Sequence, residues 1–554
     1  MKRRDTTIQT PMAIVLAKTY LAKLGFTDFI NRHVTWDRKQ VNLTPGQLAL
    51  SVVLSTFTAN RHPLSRIGQR FHGMDTELLF GKGVTSSDFS DDAIARTLDK
   101  IHEAGSAHLF SQLALSAFTT FDIPLGNLHA DTSSHAFFGE YEGCEDPAYE
   151  GMDVTYGFSK EHRPDLKQIM IGNVVNSDGI PLVHQALNGN TADCTWNGQV
   201  IGTLSDLLGE RLKDIVYIAD AKLVTEPNLR LLHQKGLSFI SRVPDNFCAK
   251  LAAQAKKDAY AANAWTTFGS MAEDKKQAEY EGYSQVHYLG REPMRLLVVK
   301  SSAARDGFLA RLEKERSELA RSAHEVERQH FACEPDALAA AETLRKKGSK
   351  GLFRLSYTLS DTTTWKRPPG NPGKNPKPPV EIVTWQVRFT ITENTEAIQA
   401  AKEQAQSFVL VTNIPSDKLD DRELLWRYKK QHVVEAGFRW LRQPSMASAI
   451  FLKKPERIEA LMMLIHVALM VRALMQQQAR LRLGAMAEAP RIELNGQGLK
   501  SPTADKILVL LLNQGVITDR GERYYGTTSD KDFERVQVLM KLLGVTEDEL
   551  QMEG

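Results

Sequence analysis

The chain has 554 residues, a length that suggests three or four structural units rather than one module. Apolar residues make up 42% and charged residues 25%, which excludes wholesale disorder and collagen-like order. Lys plus Arg is 69 against 67 for Asp plus Glu, a formal charge of +2, so any basic surface must come from local clustering.

Residues 12–24, 44–58 and 92–118 carry apolar side chains at helical spacing, and Thr44-Pro45 reads as an N-cap with proline in the first turn. The first 70 residues hold eleven Lys/Arg against three Asp/Glu, a candidate phosphate-contacting surface or a solvated helical face. No apolar run follows Met1-Lys2-Arg3-Arg4, so no secretory leader is expected. Near residue 120 the period changes. Residues 127–132, 169–175, 180–187, 215–219 and 237–243 read as strands, with Asn176-Ser177-Asp178-Gly179 as a hairpin turn. Thr225, Pro227 and Gly236 mark the start and stop of a helix between the last two. This is an α/β pattern.

From 245 to 405, strand-like pieces flank a charged helical stretch at 305–347, and a loop rich in proline and glycine at 366–379 carries four cations and no acid. The segment reads as a β-rich insertion. The strand pattern resumes at 407–412, and one long helix is expected from Asp420 to Pro444. The most apolar stretch, 461–474, contains His466 and Arg472 and falls short of the roughly 20 residues a bilayer needs, so it reads as a buried helix with no membrane partner. Cys144, Cys194, Cys248 and Cys333 form no C-x-x-C pair, which argues against a zinc ribbon and fits a reducing, cytoplasmic setting.

Three carboxylates stand out. Asp131 and Asp220 each end an apparent core strand, where an unpartnered carboxylate is costly. Glu435 lies on the expected helix, sharing a face with Tyr428 and Arg442 at seven-residue spacing, in a segment with nine basic and three acidic residues between Arg422 and Arg457. Converging carboxylates repel, so they need cations between them, and Mg²⁺ takes oxygen ligands while keeping sites open for phosphate. An i,i+4 salt-bridge network is the plain alternative for Glu435. His129 and His135 flank Asp131, but no third histidine stands at ligand spacing for zinc. An acidic run from Glu140 to Asp153 reads as a solvated loop. Trp265, Trp365 and Trp385 suit core packing, with base stacking as the alternative.

The order Asp131, Asp220, insertion, Glu435 resembles the DDE transposases of bacterial insertion sequences, in particular the IS-four-like superfamily. That group carries Y-x2-R-x3-E-x6-K on the Glu helix; this chain has Tyr428, Gln431, Glu435 and Arg442 at the same spacing, with Gln for Arg and Arg for Lys. Phe408 to Asn413 and Tyr156 to Gln168 resemble further segments of the group. The resemblance implies an RNase H-like mixed-sheet core (residues 120–244 and 406–480) interrupted by the insertion at 245–405. An all-α N-terminal DNA-binding or dimerisation region (1–119) and a helical C-terminal region (481–554) would flank it. It also implies that Asp131, Asp220 and Glu435 bind Mg²⁺ or Mn²⁺, as two ions, and that water so activated nicks the element's end before the 3′-OH attacks target DNA. Tyr428, Lys429, Lys430, Gln431, Arg439, Arg442, Lys160, Arg163 and Lys167 would contact DNA phosphate. The implied partners are double-stranded DNA at terminal inverted repeats and target, and a second copy of the chain on paired ends, in the nucleoid. A metal-dependent nuclease without strand joining and an inactive DNA-binding relative remain open alternatives.

Overall fold

The computed structural model describes residues 8–552 apart from 59–62, 140, 142–150, 161, 245–248, 272–277, 290–291, 349–350, 368, 370–377, 443–451, 487–492, 495–496, 500 and 527–529. Most of the acidic run 140–153, much of the 366–379 loop and the expected helix stop at Pro444 fall outside the described residues. The chain divides into two compact units, Met1–Ser241 with Arg427–Gly554, and Arg242–Trp426.

The first unit begins with β1 (Ile8–Pro11). Its central sheet contains β2 (Asn127–Phe137), β3 (Lys167–Asn176), β4 (Pro181–Asn188), β5 (Val216–Ala219) and β6 (Ser238–Arg242), in the order β4-β3-β2-β5-β6. The β4-β3-β2 ladder is antiparallel, and β5 and β6 add to it in parallel. The β3–β4 turn follows from its residues. Gly179 takes φ +81°, and the Asn176 side chain accepts from the backbone N–H groups of Asp178 and Ile180 (3.1 and 3.0 Å). Strand β2 runs beyond the expected Thr132 to Phe137 because β3 pairs with it as far as Lys167.

Helices Met12–Lys23, Pro45–Ser55, Asp91–Glu103 and Ser106–Thr120 pack around helix Pro455–Ala485 or its neighbours. Thr44 and Gln47 cap the second of these reciprocally. The expected single helix at 92–118 is two, broken where Gly105 takes φ +83°. Helix Pro455–Ala485 has 31 residues, longer than the apolar stretch suggested. By length and composition it could cross a membrane, yet 94% of its apolar window is buried inside the protein.

The N-terminal region is not all-α, nor is the C-terminal region purely helical. Strand β1 pairs with β7 (Gly515–Asp519), which pairs with β8 (Glu522–Gly526). A lone hairpin is marginal in water, and a third strand from the other end of the chain stabilises this one. Asp75, buried beneath it, accepts from Arg523 Nε (2.8 Å) and Thr518 Oγ1 (2.7 Å).

In the second unit, strands Ser407–Thr412, Glu292–Ser301, Glu279–Leu289 and Thr266–Ser270 form an antiparallel sheet. A hairpin of Phe353–Lys366 and Val380–Glu393 packs its base on helices Ser302–Glu327 and Glu334–Gly348. The charged stretch expected as one helix is therefore two. The chain breaks between them so that Phe331 can exchange backbone hydrogen bonds with Trp385 (2.9 and 2.8 Å).

Candidate active site

Ala130 of β2 pairs with Ala219 of β5 in the parallel ladder, so the next residues, Asp131 and Asp220, stand side by side; β5 ends there, but Asp131 does not end its strand as expected, because β2 continues to Phe137 along β3. Strands in a sheet lie about 4.8 Å apart, which brings the two carboxylates into one small space. Strand β5 stops at Ala219, and Asp220 caps the turn Ala221–Leu223 by accepting from Lys222 N–H (3.0 Å). Burial pushes the Asp131 carboxyl up to about 6. Asp220 and Asp193 raise it further, against the pull of Lys160 and of the Thr132 N–H that its oxygen accepts (2.8 Å). Asp220 is also raised, chiefly by burial and then by Asp193.

Asp193 had no distinguishing mark in the sequence. An acid in the first turn of a helix reads as an ordinary partner of the helix dipole. Here it opens helix Asp193–Leu208, which follows β4 and lies against β3 through Trp196. The contact requires Gly172, since a Cβ there would stand 2.2 Å from the Trp196 ring. Buried Tyr217 on β5 donates to Asn197 of the same helix (2.7 Å), fixing its depth. Asp193 thereby accepts from Thr132 Oγ1, one residue past Asp131.

Lys160, expected to grip phosphate, turns its ammonium inward. It donates to Thr132 O (2.7 Å) and Oγ1 (3.1 Å), and lies 3.6 Å from Asp193 and 3.9 Å from Asp131. Beside this cluster, Phe158, Lys160, Gly189, Asp193, Cys194 and Lys222 help line a cavity of about 360 Å³.

The helix expected from Asp420 to Pro444 is interrupted. Asp421–Lys429 and His432–Leu441 are separate helices. Across the break the N–H groups of Lys430, Gln431, Val433 and Val434 bond three residues back rather than four. A tertiary contact accompanies the break: Gln431 donates to Ala130 O (2.8 Å), and its Oε1 lies 3.4 Å from His129 Nδ1. Tyr428 and Glu435 therefore do not share one continuous helical face. Glu435 is exposed, one turn past Gln431. At the other end of this helix Arg442 lies close enough to His135 to oppose its protonation, although burial is the main reason His135 falls to about 4. Gln431 at Ala130 and Arg442 acting on His135 bracket the part of the helix that carries Glu435, so this helix packs on β2.

The other expected contacts are scattered. Tyr428 and Lys430 are half-buried and Lys429 is exposed. Lys430 acts on His129, whose affinity for a proton burial lowers to about 4. Arg439 lines a separate cavity of about 310 Å³ with His432, Arg472 and Asp505. Arg163 is forked onto Asp165 (2.8 and 2.6 Å), and Lys167 bonds to Tyr141 O. In the second unit Trp265 is covered by the Lys300 ammonium at 3.5 Å, Trp385 packs at Phe331, and Trp365 is 64% exposed.

Among the described residues, no group of three or more His, Cys, Asp or Glu stands together as a metal site. Asp131 and Asp220 nevertheless suit a hard divalent cation. They are oxygen donors, and their burial and mutual repulsion make the charged pair costly without one. Two family models match the chain. A domain of unknown function (DUF4277) covers residues 11–115, and a transposase DDE domain covers residues 154–471, more than half of the chain. The chain belongs to the DDE-domain transposase family. The matched transposase domain includes Lys160, Asp193, Asp220, Tyr428 and Glu435, and begins after Asp131. Its mixed α/β fold accords with that membership, which makes the protein a transposase acting on DNA. No curated protein matches the chain.

Proposed function

We propose that this transposase cuts DNA at the ends of an insertion sequence and joins the freed 3′-OH to target DNA, with Asp131, Asp220 and Glu435 as its catalytic acids. The observation that carries the reading is the pair of half-buried aspartates that the adjacent parallel strands β2 and β5 bring together, one with its carboxyl pushed up to about 6. The strand order β4-β3-β2-β5-β6, antiparallel and then parallel, supports an RNase H-like core. Glu435 is assigned with them because its helix is tied to β2 by Gln431, which supports the reading.

Asp131, Asp220 and Glu435 would hold Mg²⁺ or Mn²⁺, two ions in this reading, which when bound stabilise the attacking and leaving oxygens of an in-line phosphoryl displacement. The chain's own residues orient the strand. Tyr428, Lys429, Lys430, Arg439 and Arg442 offer contacts to the DNA backbone from the two short helices and their ends, Arg163 from the segment before β3 and Lys167 from its first residue. Gln431 fixes the Glu435 helix to β2. Residues 1–119 serve DNA binding or dimerisation, residues 245–405 form an insertion in the core, and two copies hold paired ends in the bacterial cytoplasm at the nucleoid.

The test is a purified protein with Mg²⁺ and a duplex carrying the element's terminal repeat. Wild type should cut and join, while Asp131→Asn, Asp220→Asn and Glu435→Gln should bind without cutting. Cutting without joining would make the protein a nuclease, and binding without either would make it an inactive relative. A variant that cut as well as wild type would remove its residue from the site.

A further inference from the structure

Lys160 is built into the acidic cluster. Its backbone N–H donates to Ser134 Oγ (3.0 Å), which sets the start of the side chain on β2. Its ammonium bonds the carbonyl and hydroxyl of Thr132, so the remaining charge faces Asp131 at 3.9 Å and Asp193 at 3.6 Å. Those separations are ion pairs rather than hydrogen bonds. Thr132 connects the parts, accepting from Lys160 and donating to Asp193. A lysine reaching for DNA would point its charge to solvent; this one is 30% exposed and points at carboxylates.

We propose that Lys160 is the resident counter-ion of the acidic cluster, that it competes with a divalent cation for Asp131, and that Asp193 holds it in that position. The inference rests on the reading that Asp131 and Asp220 take the cation. A +1 ammonium so close to Asp131 lowers the repulsion among the three aspartates before any metal arrives, and weakens metal binding by occupying the same charge. Metal entry displaces it, and the released ammonium, on a segment held against β2, becomes available to a DNA phosphate.

Binding of Mn²⁺ to the full-length protein without DNA, followed by electron paramagnetic resonance of the free ion, tests this. Lys160→Met should tighten Mn²⁺ binding roughly 5- to 150-fold, the range of ordinary coupling between sites. Lys160→Arg, which keeps the charge, should stay closer to wild type. Without metal, Lys160→Met should melt at a lower temperature, and Mn²⁺ should raise its melting point more than that of wild type. A lysine with a merely structural role would lower the melting point and leave Mn²⁺ affinity unchanged, which would overturn the proposal. Asp193→Asn should also tighten binding by loosening Lys160. Weaker binding would make Asp193 a ligand instead and would overturn its holding role. Asp131→Asn distinguishes the two levels of the argument. If wild type binds no Mn²⁺, or Asp131→Asn binds it equally, the metal reading and the proposal fail together. If Asp131→Asn abolishes binding but Lys160→Met leaves it at the wild-type value, only the proposal fails.

Discussion

The central sheet of the first unit and the long hairpin of the second are built on opposite terms. Strand β3 buries every residue after Lys167, including the polar Gln168, Asn173 and Asn176. Strand Phe353–Lys366 buries only Phe353 and Leu355, and its distal half is exposed on both faces although all fourteen residues stay paired across the hairpin. Backbone pairing runs along both, broken in β3 only by an irregularity at Val174–Val175. What differs is where side chains do their work. In the hairpin, stability comes from a few apolar contacts at the base, and the rest of the ladder tolerates Asp361 and a run of threonines. In the core sheet, covered on both faces, charges lie in a low-dielectric setting where they act on one another strongly. That is where a carboxyl such as Asp131 can be pushed far from its ordinary value.

This contrast can be broken at its ends. Phe353 is 1% exposed at the hairpin base, and Phe353→Ala should cost about 3–5 kcal/mol in a urea titration. A cost near zero would mean that the hairpin is held by its ladder alone. In the core sheet the expected sign is the reverse. Asp131 holds its proton to about 6 in the fold, against 3.8 for an ordinary aspartate. Between those pH values the unfolded chain has released a proton that the folded one keeps, so folding stability falls as pH rises through the window. The loss amounts to about 3 kcal/mol at most and persists above pH 6. Asp131→Asn escapes it. The variant should therefore be more stable than wild type at pH 7.5, with the gap closing toward pH 4. An equal gap at both pH values would show that the carboxyl carries no such strain.

Much of the core could be read from local residue chemistry. The Asn176–Gly179 turn, the Thr44 and Thr225 caps and the strand ending before Asp220 are all short-range features, whereas β2 runs past Asp131 because distant β3 pairs with it. What escaped was made by distant partners. The break at Lys430–Gln431 accompanies an amide bonded to Ala130, which helical spacing within the segment cannot foresee. Strand β1 exists because residues near the other end of the chain pair with it, Ile8 opposite Thr518. Lys160 read as a phosphate contact and Asp193 as an ordinary acid opening a helix. Only Thr132, standing between them, turns them into one arrangement with Asp131.

Smaller effects sharpen the comparison. Gly172→Ala places a methyl against the Trp196 ring, at a position where the helix carrying Asp193 meets β3. Overpacking of this kind costs about 1–3 kcal/mol, and the displacement should also move Asp193 from Thr132. Melting temperature together with Mn²⁺ affinity would register both. Trp365→Ser stands at the far end of the scale. The ring is 64% exposed on a strand whose backbone is paired to Val380–Glu393, so its removal takes little from folding. The expected change lies within about 0.5 kcal/mol, as for an ordinary surface position. A large loss would show that the ring is covered in the folded protein. If stability is unchanged but DNA binding weakens, the exposed half of the hairpin is a contact surface, and its poverty in buried side chains reflects use rather than neglect.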